Sequence, residues 1–181
     1  LGDVALPLIG FLFWDWGFYF VSLFFLFDLL FRTFFIKRRL RPLGELKNRN
    51  TIIFKAFLFT FLEVILIHCI VVGAFSHTNI GDSFIYFLTY EEMGIAQGVV
   101  LLPLLLLNEV MKIRNENKMG VPYSVRAQVL INNQNIQRYR ILLWVLIYLL
   151  VLFFPIPEII LITSFFIFLT VQPFLVFRNI Q

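Results

Sequence analysis

The chain has 181 residues, of which 60% are hydrophobic, 18% are aromatic and only 14% are charged. Soluble domains have about 45 to 50% apolar and about 25% charged residues, so this composition excludes a soluble enzyme and indicates a protein that lies in lipid. The formal net charge of +4 does not indicate nucleic-acid binding, because no interleaving of basic and aromatic residues accompanies it.

Runs of about 20 apolar residues, enough for a helix to cross a hydrocarbon core about 30 Å thick, predict the transmembrane segments. Five such runs predict one all-α domain, residues 1–181, which is a polytopic bundle of membrane-spanning helices. The predicted spans are residues 17–36, 52–75, 93–111, 141–154 and 159–177. The fourth is short, and it can reach across if Arg138 and Arg140 extend to the headgroups at one end and the turn from Pro155 to Pro157 stays within the headgroup layer.

Residues 4–13, before the first span, are apolar but too few to cross a bilayer. Trp14-Asp15-Trp16-Gly17 follows and has the composition of an interfacial turn with aromatic anchors. We expect a half-helix that dips into the outer leaflet or lies in its plane; the alternative is the end of a sixth span that begins before Leu1. Residues 84–90 are similar, and we expect them to lie flat on the membrane or to extend the third span.

The first span contains an acid and a base, Asp28 and Arg32, four residues apart and so on one helix face. Pairing lets the carboxylate lie inside the span while the guanidinium reaches towards the interface. We interpret the pair as structural, with a role of Asp28 in conduction as the alternative. Four basic residues closely follow the span: Lys37, Arg38, Arg39 and Arg41. We interpret them as topology determinants, or alternatively as contacts for anionic lipid headgroups.

The second span carries Glu63 at its twelfth position, near the middle of the bilayer. An ionised side chain at the centre of a span costs at least about 2.5 to 3.5 kcal/mol, so Glu63 must be protonated or paired with another helix. Thr60 lies on the same face and can hydrogen-bond to it, whereas His68 lies about 140° further around the helix. The pattern indicates a polar site in the membrane, either an interhelical hydrogen bond or a proton or cation relay.

In the third span, Gly94 and Gly98 form a small-xxx-small pair at which another helix can approach closely. The segment that follows, residues 115–140, is rich in Asn and Gln. We expect a surface helix there, which lies on the membrane, packs under the spans or meets a partner subunit.

The 15 Lys and Arg residues predict the orientation, because they fall only at residues 32–55, 112–140 and 178. Basic residues accumulate on the cytoplasmic side, which makes residues 37–51 and 112–140 the cytoplasmic loops. The N-terminus is then outside and the C-terminus inside. The absence of an Asn-x-Ser/Thr sequon fits a bacterial cytoplasmic (inner) membrane.

No enzyme class is indicated by a sequence motif. With two His, one Cys and no HExxH, we expect no metal site, haem or other cofactor. The first hypothesis is a non-catalytic accessory or structural subunit of a membrane assembly, with other membrane subunits or as a homo-oligomer. The second is a small transporter or channel that uses Glu63, and the third is a lipid-modifying membrane enzyme. A transporter predicts that Glu63 faces a water-accessible cavity, whereas a subunit predicts that a neighbouring helix seals it.

Overall fold

The structure, a computed structural model, describes residues 2–14, 16–40, 49–75, 79–92 and 95–167. Within these ranges it is an assembly of helices with one short antiparallel ladder, β1 (Glu91–Glu92) against β2 (Ile95–Ala96). The described helices are α1 (Gly2–Phe13), α2 (Phe18–Leu40), α3 (Arg49–Ala74), α4 (Ile80–Thr89), α5 (Gln97–Lys118), α6 (Tyr123–Phe153) and α7 (Glu158–Ile167). The all-helical architecture predicted from the composition is confirmed.

Three of the described helices are long and apolar enough to cross a membrane: α2, α3 and the Val125–Phe153 part of α6. They correspond to the first, second and fourth predicted spans. α5 overlaps the third, and its C-terminal half is rich in charged residues. α7 begins the fifth, whose residues 168–177 lie outside the described ranges. The membrane-protein class is supported, and the count of five spans stays a prediction.

The main departure from expectation is α6, which is continuous over 31 residues and so about 46 Å long. Its first half includes most of the amide-rich segment, for which we expected a surface helix, and its second half is the predicted fourth span. The segment is helical, and of the three alternatives it packs against a span, because two of its amides face α3: Gln134 Nε2 donates to the carbonyl of Ile52 at 2.6 Å, and Gln137 Nε2 donates to Thr60. Because α6 is continuous, the helix that contains the predicted fourth span is long enough to cross a membrane.

Two pairs of neighbouring helices, α3 with α6 and α2 with α5, run in the same direction. α3 and α6 are parallel, since Ile52 contacts Gln134 near one end and Gly73 lies beside Val151 near the other. α2 and α5 are also parallel, because both contact α4 at their N-terminal ends and an ion pair joins Arg39 to Glu116 at their C-terminal ends. We call the end of the bundle that holds the C-termini of α2 and α5 and the N-terminus of α3 the basic end.

The opposite end is built from aromatic side chains. Trp16, which we expected to be an interfacial anchor, is only 2% exposed and packs 4.4 Å from the ring of Phe20, so it belongs to the protein core. Gly10 of α1 lies against the Trp16 indole, where a Cβ atom would come within 2.2 Å of the ring. Glu158 Oε1 accepts a hydrogen bond from the backbone N–H of Phe18 at 2.6 Å, which satisfies a free donor at the start of α2.

α4 and α5 touch through their backbones. A Cβ atom added to Gly98 would lie 2.1 Å from the carbonyl oxygen of Phe87, so only glycine permits this approach. The short ladder reverses the chain between the two helices, and α4 therefore does not extend the third span. Gly94, the other half of the predicted pair, lies outside the described residues.

The turn between α5 and α6 is a Schellman motif. Gly120 has φ of 60°, and the N–H groups of Gly120 and Val121 donate to the carbonyls of Asn117 and Glu116 at 3.3 Å each. Arg126 of α6 adds two hydrogen bonds of 2.6 Å, to the Glu116 carbonyl and to Asn117 Oδ1. These contacts close the turn that joins the two helices.

Candidate functional site

Glu63 lies at the centre of a buried polar group between α3 and α6. Its side chain has 0% exposure, and both carboxylate oxygens are occupied. Oε2 accepts from Arg140 Nη2 at 2.6 Å and from Gln137 Nε2 at 3.3 Å. Oε1 accepts from Trp144 Nε1 at 3.1 Å and also forms an ion pair with Arg140 Nε. Glu63 is therefore paired with another helix through Arg140, which is the second of the two states expected for it.

The donors share one face of α6 because they follow helical spacing. Gln137, Arg140 and Trp144 are three and four residues apart, so their side chains project in one direction. The condition under which the short fourth span could cross, that Arg140 extends to the headgroups, is not met: the side chain turns inward and the residue is only 4% exposed. The stripe of polar residues at this spacing was the sequence signal that an inward-facing partner for Glu63 existed.

The group also reaches α2. Thr60 is not among the hydrogen-bond partners of Glu63; its hydroxyl lies 2.8 Å from that of Thr33 on α2 and accepts from Gln137 Nε2 at 3.3 Å. The guanidinium of Arg140 lies 4.8 Å from the ring centre of Phe25, a cation–π distance. We call the following residues the Glu63 network: Thr33, Thr60, Glu63, Gln137, Arg140 and Trp144.

The interactions of the Glu63 network join helices to one another. A buried ion pair offsets its desolvation only when the remaining donors and acceptors are also satisfied. Here the amide and the indole supply the further donors to Glu63, and three helices contribute side chains. The network therefore fixes the positions of α2, α3 and α6 relative to one another.

His68 lies apart from the network. Its Nδ1 is 2.7 Å from the carbonyl oxygen of Val64, which can only accept, so Nδ1 carries a proton. Nε2 lies 3.3 Å from the hydroxyl of Tyr19 on α2 and accepts from it when the imidazole is neutral. His68 thus links α3 to α2, consistent with its expected position on a different face from Glu63.

Three further ion pairs among the described residues lie towards the basic end. Asp28 and Arg32 are 2.6 Å apart, as their spacing predicts. Arg39, expected to act as a topology determinant, reaches α5 instead and lies 3.1 Å from both Glu109 and Glu116. These acids are seven residues apart, so they share a helix face that Arg39 bridges. Lys37 and Arg38 are exposed, and Arg41 lies outside the described residues.

A polar cavity of about 270 Å³ lies between α2, α3, α5 and α6. Its charged lining residues are Arg32, Arg39, Glu109, Lys112, Glu116 and Arg140, with Asn133, Gln134 and Gln137 as the amides. Glu63 is not in the lining, because Arg140 and Gln137 separate it from the cavity. Both carboxylate oxygens of Glu109 are buried and accept no hydrogen bond from the described residues, although Arg39 neutralises the charge. Both acidic and basic side chains of the bundle interior therefore line this cavity.

Among the described residues, no group of three or more His, Cys, Asp or Glu side chains is arranged to hold a metal ion. Comparison of the chain with protein-family models, curated proteins and solved structures finds no match. The Glu63 network and the cavity beside it are therefore the features that bear on function.

Proposed function

We propose that the protein is a non-catalytic subunit of a membrane assembly, formed with other membrane subunits or with further copies of itself. The observation that carries this proposal is the complete burial of Glu63 and the occupation of both of its oxygens by side chains of α6. A carboxylate that carries protons or cations must be reachable from water, and this one is used to join helices.

The outer surface of α3 offers a face for lipid or a partner. Phe54, Phe57 and Phe61 are all at least half exposed and follow helical spacing, so they form one aromatic ridge along the helix. Helices associate in lipid through van der Waals packing, and an exposed ridge of this kind is a surface on which such packing can occur. In the proposed assembly this ridge faces acyl chains or a neighbouring subunit.

In this proposal the chain crosses the membrane five times, with its N-terminus outside and its C-terminus in the cytoplasm. The basic end of the bundle, with Lys37, Arg38 and Arg49 near α2 and α3, lies on the cytoplasmic side. The bacterial cytoplasmic membrane is the proposed location.

The test is purification of the tagged chain from its native host in mild detergent, followed by native mass measurement and identification of the bound proteins. We expect a homo-oligomer or stoichiometric partners that survive detergent exchange. An unrelated tagged membrane protein from the same host controls for non-specific capture. A strictly monomeric chain, with no protein retained above that control, would contradict the proposal.

A small transporter or channel is the second candidate, because Glu109, although its oxygens are buried, lines the polar cavity, whereas Glu63 does not. A transporter in this fold would use Glu109 and not Glu63. Proton flux into liposomes that contain the protein and a pH-sensitive dye tests it. Glu109→Gln should abolish flux, and Glu116→Gln, which removes the other partner of Arg39, should keep it. Absence of flux in the unmodified protein would remove this candidate.

A further inference from the structure

A second opening at the basic end differs from the polar cavity of about 270 Å³, which we call the central cavity. It is a groove of about 450 Å³ between α2 and α5. We call it the α2–α5 groove, and its lining residues are Arg38, Val110, Ile113, Arg114, Asn117 and Lys118. Three of the six are cations and none is an acid, whereas the central cavity contains both signs of charge.

The cations of the groove have no internal partners. Arg38, Arg114 and Lys118 are exposed, and in the part of the chain that the structure describes none of them forms an ion pair or a hydrogen bond through its side chain. Three like charges around one opening repel one another unless an anion lies between them. The groove is therefore complementary to a negatively charged group.

The groove is also apolar at the side nearer the middle of the bundle. On α5, Val110, Arg114 and Lys118 follow at intervals of four residues, so one stripe changes from apolar to cationic towards the basic end. On the parallel helix α2, Phe34 and Arg38 repeat the same change, and both line an adjoining opening. The apolar part of each stripe is suited to an acyl chain, and the cationic part nearer the basic end is suited to an anionic headgroup.

Neither membrane orientation nor the helix dipole requires this arrangement. Orientation needs basic residues anywhere at this end, and the dipole needs them in the last turn of each helix separately. The convergence of side chains from two helices on one opening is an additional feature, and it points to a bound anion.

We propose that the α2–α5 groove binds the phosphate headgroup of an anionic phospholipid, with Arg38, Arg114 and Lys118 around the phosphate. One acyl chain then lies along Val110 and Phe34. A basic residue near an anionic lipid surface strengthens binding about fivefold, and the three act on the same headgroup. The proposal is independent of whether the protein is a subunit or a transporter.

The experiment compares lipid retention by the purified full chain in native mass spectra, with phosphatidylglycerol and phosphatidylcholine titrated separately. Arg114→Gln is the test variant. Arg138→Gln is its matched control, because Arg138 is also an exposed helical arginine but lies beside Phe59, away from the groove. Unfolding temperatures of both variants verify that each is folded.

We expect Arg114→Gln to weaken phosphatidylglycerol retention about fivefold and Arg138→Gln to leave it unchanged, with phosphatidylcholine insensitive to both. Equal losses in the two arginine variants would overturn the proposal, since they would indicate a diffuse electrostatic attraction. Equal retention of the two lipids would also overturn it. Displacement of phosphatidylglycerol by millimolar inorganic phosphate would reassign the groove to a soluble phosphate, against the lipid.

Discussion

Glu63 and Arg140 stabilise the protein only as a pair. Each residue is almost completely buried. Replacement of either one by a neutral residue would leave the other as an isolated charge in a low-dielectric interior. Glu63→Gln or Arg140→Gln alone should therefore lower the free energy of unfolding by about 3 to 5 kcal/mol. Denaturant or thermal unfolding in detergent measures this change.

The double variant Glu63→Gln/Arg140→Gln tests whether the two charges stabilise the protein by interacting with each other. Because it removes both charges, the decrease in its free energy of unfolding should be clearly smaller than the sum of the decreases in the two single variants. Arg138→Gln, an exposed substitution on the same helix, should change stability by less than about 0.5 kcal/mol. Additive losses in the double variant would show that the two charges do not interact.

Gly120 is required by backbone geometry. Its φ of 60° lies in the left-handed region, where a Cβ atom costs about 1 to 2 kcal/mol. Gly120→Ala should therefore reduce unfolding stability by about that amount, although no atom lies within 4 Å of the position of the new Cβ. Met119→Ala at the adjacent site, which is 77% exposed, is the control. Equal stability of both variants would mean that the turn can change its conformation freely.

At the scale of elements, the contact between α4 and α5 depends on Gly98. A Cβ atom there meets backbone atoms of Phe87 and Leu88, which cannot rotate away as a side chain can. We expect Gly98→Ala to lower stability by about 1 to 3 kcal/mol, as overpacking does elsewhere. Leu104→Ala, at an exposed position of the same helix, should have a much smaller effect, and unfolding in detergent compares the two. A neutral Gly98→Ala would show that the helices separate without cost.

The sequence located the helices well, but it did not indicate which side chains on different helices pair with one another. Hydrophobic runs located α2 and α3 within a few residues, because the cost of polar groups in lipid depends on each residue by itself. The same reasoning placed Arg140 at a membrane boundary and divided α6 in two. A charge inside a span becomes acceptable when a partner on another helix neutralises it, and that pairing depends on how both helices are rotated. Periodicity alone does not give the rotation, so Glu63 could be identified as needing a partner while Arg140 could not be named.

At the scale of the whole molecule, charge and polarity divide the bundle into two ends. The basic end contains the α5–α6 turn with Met119, and the opposite end, with its aromatic side chains, contains the exposed Pro155, two residues after the end of α6. With about 46 Å of continuous helix between them, the two positions lie on opposite sides of the membrane if α6 crosses it. The predicted orientation places Met119 in the cytoplasm and Pro155 outside.

Cysteine labelling tests this orientation, since the chain has a single natural cysteine, Cys69. In a Cys69→Ala background, Pro155→Cys should react with a membrane-impermeant maleimide in intact cells. Met119→Cys should react only after the membrane is made permeable, because the reagent must reach the cytoplasmic side. The background variant alone should remain unlabelled. The reverse pattern would invert the topology, and labelling of both positions in intact cells would mean that α6 does not cross the membrane.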